Sequence, residues 1–343
     1  MHETSGTVIP AEKVTLQQKE LWLKIEEFLG KKLIALEELL QDFTASDVAA
    51  MQEMMDHMIG NRGKRLRPIL LFLCGSFNPD AVDDYVLLRA AAAVELIHSA
   101  SLIHDDIIDG AEERRGKPAL NVLWGNRPAV LAGDFLFARS FELVASCGNF
   151  ELIKVLTRTV SIMCEGEIEQ GGHVFNLHLT EQQYLHNIYR KTAALMEACC
   201  SAGASLAGLA DDAVLLFKAY GRHLGLAFQI TDDVLDITGK SSLIGKPVRS
   251  DLREGIITLP LIYLLEDPVW GSHLREVIEK RDFSSIALSF LDYPDCINGP
   301  VRRALARAAA YIDEAKACLS GLGNVLPVEI LKNLADFVLE REY

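Results

Sequence analysis

Basic residues are the minority in this 343-residue chain: 34 Lys and Arg stand against 48 Asp and Glu, a net charge of −14. That balance argues against nucleic acid as a partner. The apolar runs fall short of the ~20 residues that span a bilayer. Met1 to Pro10 has neither the basic start nor the apolar stretch of a secretory signal, so a cytoplasmic protein with no transmembrane segment is expected. Cysteine is sparse and unpatterned: Cys74, Cys147, Cys164, Cys199, Cys200, Cys296 and Cys318 are an odd count with no Cys-x-x-Cys pair. Small buried thiols in a reduced compartment are the expectation, not a disulfide framework or a thiolate zinc site. Strand-type alternation is nearly absent. No Ser-His-Asp or Cys-His arrangement suggests a nucleophile.

What the chain has in quantity is helical periodicity. Half of its residues are hydrophobic, enough for a sizeable core. Residues 1–14 look loose. Leu21, Ile25, Phe28, Leu29, Leu33, Leu36 and Leu40 then fall at steps of three and four, which predicts an amphipathic helix over 16–43. A second is expected over 47–59 with Ser46 as N-cap, and a third over 69–77. Further helical runs cover 83–108, 129–146, 149–170, 180–209, 211–237, 252–265 and 301–319. No linker divides them, so one all-α domain over 15–343 is expected.

Two acidic clusters stand out. His104-Asp-Asp-Ile-Ile-Asp109 ends the run over 83–108, and continued helix puts Asp105 and Asp109 on one face, offset by only ~40°. Like charges stacked at a helix C-terminus repel each other and oppose the helix dipole. Asp232-Asp-Val-Leu-Asp236 repeats the pattern. Acidic clusters are commonly solvated surface, but both lie among apolar residues (Leu102, Ile103, Ile107, Ile108; Ile230, Val234, Leu235, Ile237), where charges need partners. Two facing helices with metal ions between their carboxylates satisfy this. Hard oxygen ligands suit Mg²⁺, which keeps waters and bridges to phosphates. Arg114 and Arg115 follow the first cluster, a pair suited to phosphate. Gly60-Asn-Arg-Gly-Lys-Arg-Leu-Arg-Pro68 is either a solvated basic turn or a phosphate clamp made by Lys64, Arg65 and Arg67 at a helix start. In the run over 180–209, the Thr192 hydroxyl either bonds back to its helix or points with Lys191 at a diphosphate. The loops over 110–118 and 238–251, rich in Gly, Pro and basic residues, are placed to act as lids.

In their order and spacing, the two Asp-Asp-x-x-Asp motifs, Gly63-Lys-Arg-Leu-Arg-Pro68, Arg114-Arg115-Gly116, Lys191-Thr192 and Gly245-Lys246 resemble the all-trans isoprenyl diphosphate synthases, over about residues 15–343. The resemblance implies an isoprenoid-synthase-type bundle of antiparallel helices around a deep central cavity, usually a homodimer. It also implies Mg²⁺-dependent condensation of an allylic prenyl diphosphate with isopentenyl diphosphate. Carried over, Asp105, Asp109 and Asp232 become metal ligands, and Asp106, Asp233 and Asp236 hold metal-bound waters. Arg114, Lys191, Thr192, Gln229 and Lys246 match positions that hold the allylic substrate. Lys64, Arg67, His98 and Arg115 match those that hold isopentenyl diphosphate.

Two positions depart from the pattern. Ile256 follows Glu254-Gly255 where the family commonly has Lys, and Gln170 stands where short-chain members often place an acid. Short-chain members also put an aromatic one turn before the first motif; Ala100 and Ser101 are small, so an open floor and a long product, roughly six to ten isoprene units, are expected. Phe135, Leu136 and Phe137 are candidates for deeper stoppers. The alternatives are a geranylgeranyl or farnesyl diphosphate synthase, or the catalytic subunit of a heteromer that requires a small partner.

Overall fold

The structure, a computed structural model, describes residues 15–60, 63–239 and 249–340. Helix α1 (Leu16–Thr44) opens on a reciprocal cap. The Thr15 hydroxyl accepts from the Gln18 amide N–H, and the Gln18 side chain accepts from that of Thr15. Its buried stripe is Leu21, Trp22, Ile25, Leu29, Leu36 and Leu40. Helix α2 (Ala49–Ile59) begins later than its periodicity suggests. Ser46 does not cap it; its hydroxyl accepts from Val48 N–H in the turn before. Helix α3 (Leu66–Gly75) starts at the basic loop and is buried from Pro68 to its end.

Helix α4 (Asp84–Ile108) is the axis of the molecule. Ala90 to Ile97 are all buried, and the helix packs on α3, on α6 (Asn126–Ser146) and on α9 (Ala194–Leu206). By length and composition it is the one helix, among the described residues, that could cross a membrane. The short-run reading of the sequence missed this, because Arg89, Glu95 and His98 interrupt the run without lowering its mean hydropathy far. Here those apolar residues form core.

After Asp109 the chain makes a small antiparallel hairpin, β1 (Glu113–Arg114) and β2 (Lys117–Pro118), in place of a plain loop. Helices α5 (Leu120–Trp124), α7 (Phe150–Gly172) and α8 (Glu181–Ile188) complete this half. The run over 180–209 is not continuous: a π-helical turn, Tyr189–Ala193, separates α8 from α9. Helix α10 (Asp211–Thr238) faces α4 across the cavity and packs on α9 and on α14 (Pro294–Cys318).

The expected helix over 252–265 is two, α11 (Ser250–Glu254) and α12 (Leu259–Leu265), because Gly255 turns left-handed (φ 85°) between them. Helix α13 (Trp270–Lys280) was not foreseen, nor was α15 (Leu326–Leu339). Helix α14 starts before Pro300, which it accommodates in its interior. One cluster of buried side chains runs from Leu21 to Val338. All seven cysteines are free; Cys164, against expectation, is exposed.

Candidate active site

The end of α4 and the last turns of α10 face each other across a cavity of about 1190 Å³, larger than pockets that hold drug-sized ligands. Asp105 and Asp109 line it from α4; Asp232 and Asp233 line it from α10. Burial pushes the Asp105 carboxyl up to about 6, with Glu167 and Asp109 adding to the shift and Lys191 and Arg114 opposing it. Burial is the main cause, and the repulsion the motif implies adds to it.

The inner acids of both motifs are engaged by protein donors. Asp106 is 5% exposed and receives Arg114, whose Nε lies 2.7 Å from both carboxylate oxygens. Asp233 accepts from the Tyr184 hydroxyl at 2.5 Å and from Gln229 Nε2 at 2.8 Å. Burial drives its carboxyl to about 7, against those two hydrogen bonds. Asp236 accepts from the amide and hydroxyl of Ser250 at 3.1 and 2.9 Å, fixing the start of α11. These acids orient neighbours.

Lys191 and Thr192 sit on the π-helical turn and both line the cavity. Burial disfavours the Lys191 ammonium, but Glu167, Asp105 and Asp109 outweigh that, and its pKa is raised. Its Nζ lies 3.1 Å from Glu167. The Thr192 hydroxyl donates to Gln229 Oε1 at 2.6 Å, so a relay runs from Thr192 through Gln229 to Asp233 and Tyr184. Thr192 therefore bonds across to α10, not back to its own helix.

The opposite wall carries Lys64, Arg67, His98 and Arg115. His98 is held neutral, well below its ordinary pKa, by burial and then by Arg67, Arg115 and Arg114. Burial also lowers Arg67 and Arg115. A Cβ at Gly63 would lie 2.6 Å from the Arg115 guanidinium, so glycine lets that guanidinium rest directly on the loop. Lys64 stands 5.0 Å from the ring of Phe337. Arg65, expected to join the clamp, is instead bound to Glu37 and Glu95.

Four site residues were not legible in the sequence: Glu167, Tyr184, Asp251 and Phe337. Each reaches the site from a distant element. Asp251 lines the cavity from α11, with its pKa raised by burial and by Asp236 and Asp233. Ile256 and Gln170 also line the cavity. Lys246 lies outside the described residues. Of the two small residues before the first motif, Ser101 lines the cavity but Ala100 is fully buried. The rotation of about 100° between neighbours on a helix turns Ala100 into the core, so the open floor expected from both small residues is left to Ser101 alone. Leu136 is likewise buried, and neither Phe135 nor Phe137 is among the described cavity walls.

Among the described residues, no three His, Cys, Asp or Glu side chains converge as a ready-made metal cage. The donor set still fits a hard divalent cation. Asp105, Asp109 and Asp232 offer oxygens from two walls, as suits an ion that keeps waters and shares a substrate's phosphate oxygens.

Residues 48–288 match the family model described as polyprenyl synthetase. The chain belongs to the polyprenyl synthetase family. It is accordingly a prenyltransferase with the all-α isoprenoid-synthase fold. Among its relatives, heptaprenyl diphosphate synthase component 2 of Geobacillus stearothermophilus is 37% identical over 92% of this chain and 98% of its own. The octaprenyl diphosphate synthase of Escherichia coli is 32% identical over 93% and 98%. The polyprenyl synthase of Caulobacter crescentus, solved with calcium and isoprenyl diphosphate, superposes with a TM-score of 0.88 at 34% identity, covering 97% of this chain and 99% of that one. The polyprenyl synthetase fold therefore spans nearly the whole chain.

Proposed function

We propose that this protein condenses an allylic prenyl diphosphate with isopentenyl diphosphate, 1′–4 and head-to-tail, into a long-chain all-trans polyprenyl diphosphate. The observation that carries this reading is one cavity with acids on facing walls, cations at two separate places, and the small Ser101 in its lining. Lys191, Thr192, Gln229 and Arg114 surround the place for the allylic diphosphate. Lys64, Arg67, His98 and Arg115 form the place for isopentenyl diphosphate.

Breaking the allylic C–O bond separates charge, so the barrier falls most where fixed cations surround the departing pyrophosphate. Lys191 is suited to this: the carboxylates around it keep it charged despite burial. Arg114 is held ready by Asp106. Thr192 and Gln229 orient through their relay. Mg²⁺ ions held by Asp105, Asp109 and Asp232 would add Lewis-acid stabilisation of the leaving group. The isopentenyl double bond then attacks the allylic carbon and a proton is lost; the apolar wall protects the cation from water.

Ser101 and the cavity volume support a product beyond four isoprene units, as do the printed names of the heptaprenyl and octaprenyl relatives. A second reading, the catalytic member of a two-component synthase, is favoured by the relatives named component 2. In the absence of such a component we infer a homodimer, supported by exposed Leu123, Val130 and Leu131 on α5 and α6.

Purified protein given Mg²⁺, farnesyl diphosphate and labelled isopentenyl diphosphate is expected to yield a ladder ending at a long prenyl chain. EDTA should stop the reaction, and added Mg²⁺ should restore it. Turnover in EDTA contradicts the metal assignment. A ladder ending at four units contradicts the long product. No ladder until a second component is supplied favours the heteromer.

A further inference from the structure

Arg65 stands between the two cations of the loop that face substrate, yet its own donors go elsewhere. Nε and Nη2 bind Glu37 of α1 at 2.7 and 3.1 Å, and Nη1 binds Glu95 of α4 at 2.7 Å. The backbone at Arg65 is left-handed, φ 52° and ψ 34°, immediately before α3 begins. A non-glycine residue holds that conformation only where its surroundings over-determine it. Here the over-determination is a planar fork between carboxylates on two separate helices, a geometry that Lys cannot reproduce.

The need for such a lock follows from the charges around it. Lys64, Arg67 and Arg115 share one wall of the cavity, where like charges repel one another. Glu95, 5% exposed, is the carboxylate whose field reaches Arg65, Arg67 and Arg115 alike. The guanidinium of Arg115 in turn rests on Gly63, so a shift of the loop displaces that cation too.

We infer that Arg65, locked between Glu37 and Glu95, is a positioning residue for the isopentenyl diphosphate half of the site. It ties the loop to α1 and α4, so that Lys64 and Arg67 are already in place when the diphosphate arrives. The inference rests on the proposed function for the identity of that diphosphate. Arg65 is not a phosphate ligand itself, since three of its donors are spent on carboxylates.

The test is calorimetric binding of isopentenyl diphosphate alone, which needs no turnover, with steady-state KM for each substrate beside it. Arg65→Lys keeps the charge and removes the fork. The expected result is at least tenfold weaker binding of isopentenyl diphosphate and a matching rise in its KM, with the KM for farnesyl diphosphate within twofold of wild type. Glu95→Gln sharpens the contrast. Simple electrostatics says that losing an anion tightens diphosphate binding; positioning says that binding weakens. If Arg65→Lys does not fold, the half-buried Glu37→Gln carries the measurement, with at least threefold weakening expected. Unchanged or tighter binding, or equal losses for both substrates, overturns the role given to Arg65. Wild-type protein that binds no isopentenyl diphosphate overturns the substrate assignment instead.

Discussion

Asp105 shows how one side chain carries both a cost and a function. Its carboxyl titrates near 6 in the folded chain, against 3.8 for the free side chain. The native state therefore holds its proton over a range where the unfolded chain has lost it. Stability from this group is complete below about pH 4 and lost as pH rises past 6, amounting to roughly 3 kcal/mol at most. Asp105→Asn should raise the melting temperature of chelator-treated protein at pH 7.5 and flatten the pH dependence between 4 and 6. The same substitution should cut turnover by roughly a thousandfold, as loss of a key electrostatic group does. Thermal melts in EDTA check the first half and kinetics the second; a lower melting temperature would count against the cost of burying this charge. The motif's position was legible because Asp-Asp-x-x-Asp stacks carboxylates on any helix. A division of labour inside it came only with the resemblance, and the donors that hold the inner acids came only with the fold. Asp106 is held by Arg114 of the hairpin, and Asp233 by Tyr184 of α8 and by Gln229 one turn before it on α10.

At the scale of elements, the π-helical turn decides where Lys191 and Thr192 point. It inserts a wider turn into what the sequence suggests is one long helix, and it packs against α10. A Cβ on Gly225 would meet Ala193 Cα at 2.5 Å, a backbone atom that cannot swing aside. Gly225→Ala should therefore cost about 1–3 kcal/mol, as overpacking does. It should also raise the KM for the allylic substrate more than that for isopentenyl diphosphate, because it pushes the turn and not the basic loop. Equal changes in the two constants would mean that the turn does not set the allylic site. Periodicity could not reveal this feature: a π turn keeps helical composition and alters only the register. The split between α11 and α12 was hidden for a related reason, since Gly255 breaks a run that stays apolar on both sides.

At the scale of the molecule, the proposed function makes product length depend on the space that α4 leaves open. Ser101 lines the cavity while Ala100 lies at 0% exposure in the core. Ser101→Phe should fill that space and shorten the dominant product by several isoprene units, read by sizing the dephosphorylated chains. Ala100→Phe should act differently, destabilising the protein by roughly 3 kcal/mol or more through overpacking, seen as a lower melting temperature. A shorter product from Ala100→Phe with unchanged stability would show that the tail passes on the other face of α4.

The sequence by itself determined the all-α class, the two acidic motifs, the basic loop and the family. Each of these depends on spacing within a few turns of one helix, or on order along the chain, and such short-range relations survive without a fold. Only the tertiary structure decided which donors hold Asp106 and Asp233, that Arg65 is a lock and not a clamp, and that Ser101 but not Ala100 lines the cavity. Those outcomes turn on small rotations about helix axes and on partners separated by tens to hundreds of residues, as with Arg65 and Glu37, Tyr184 and Asp233, or Lys64 and Phe337. Packing sets both, and a linear pattern carries neither.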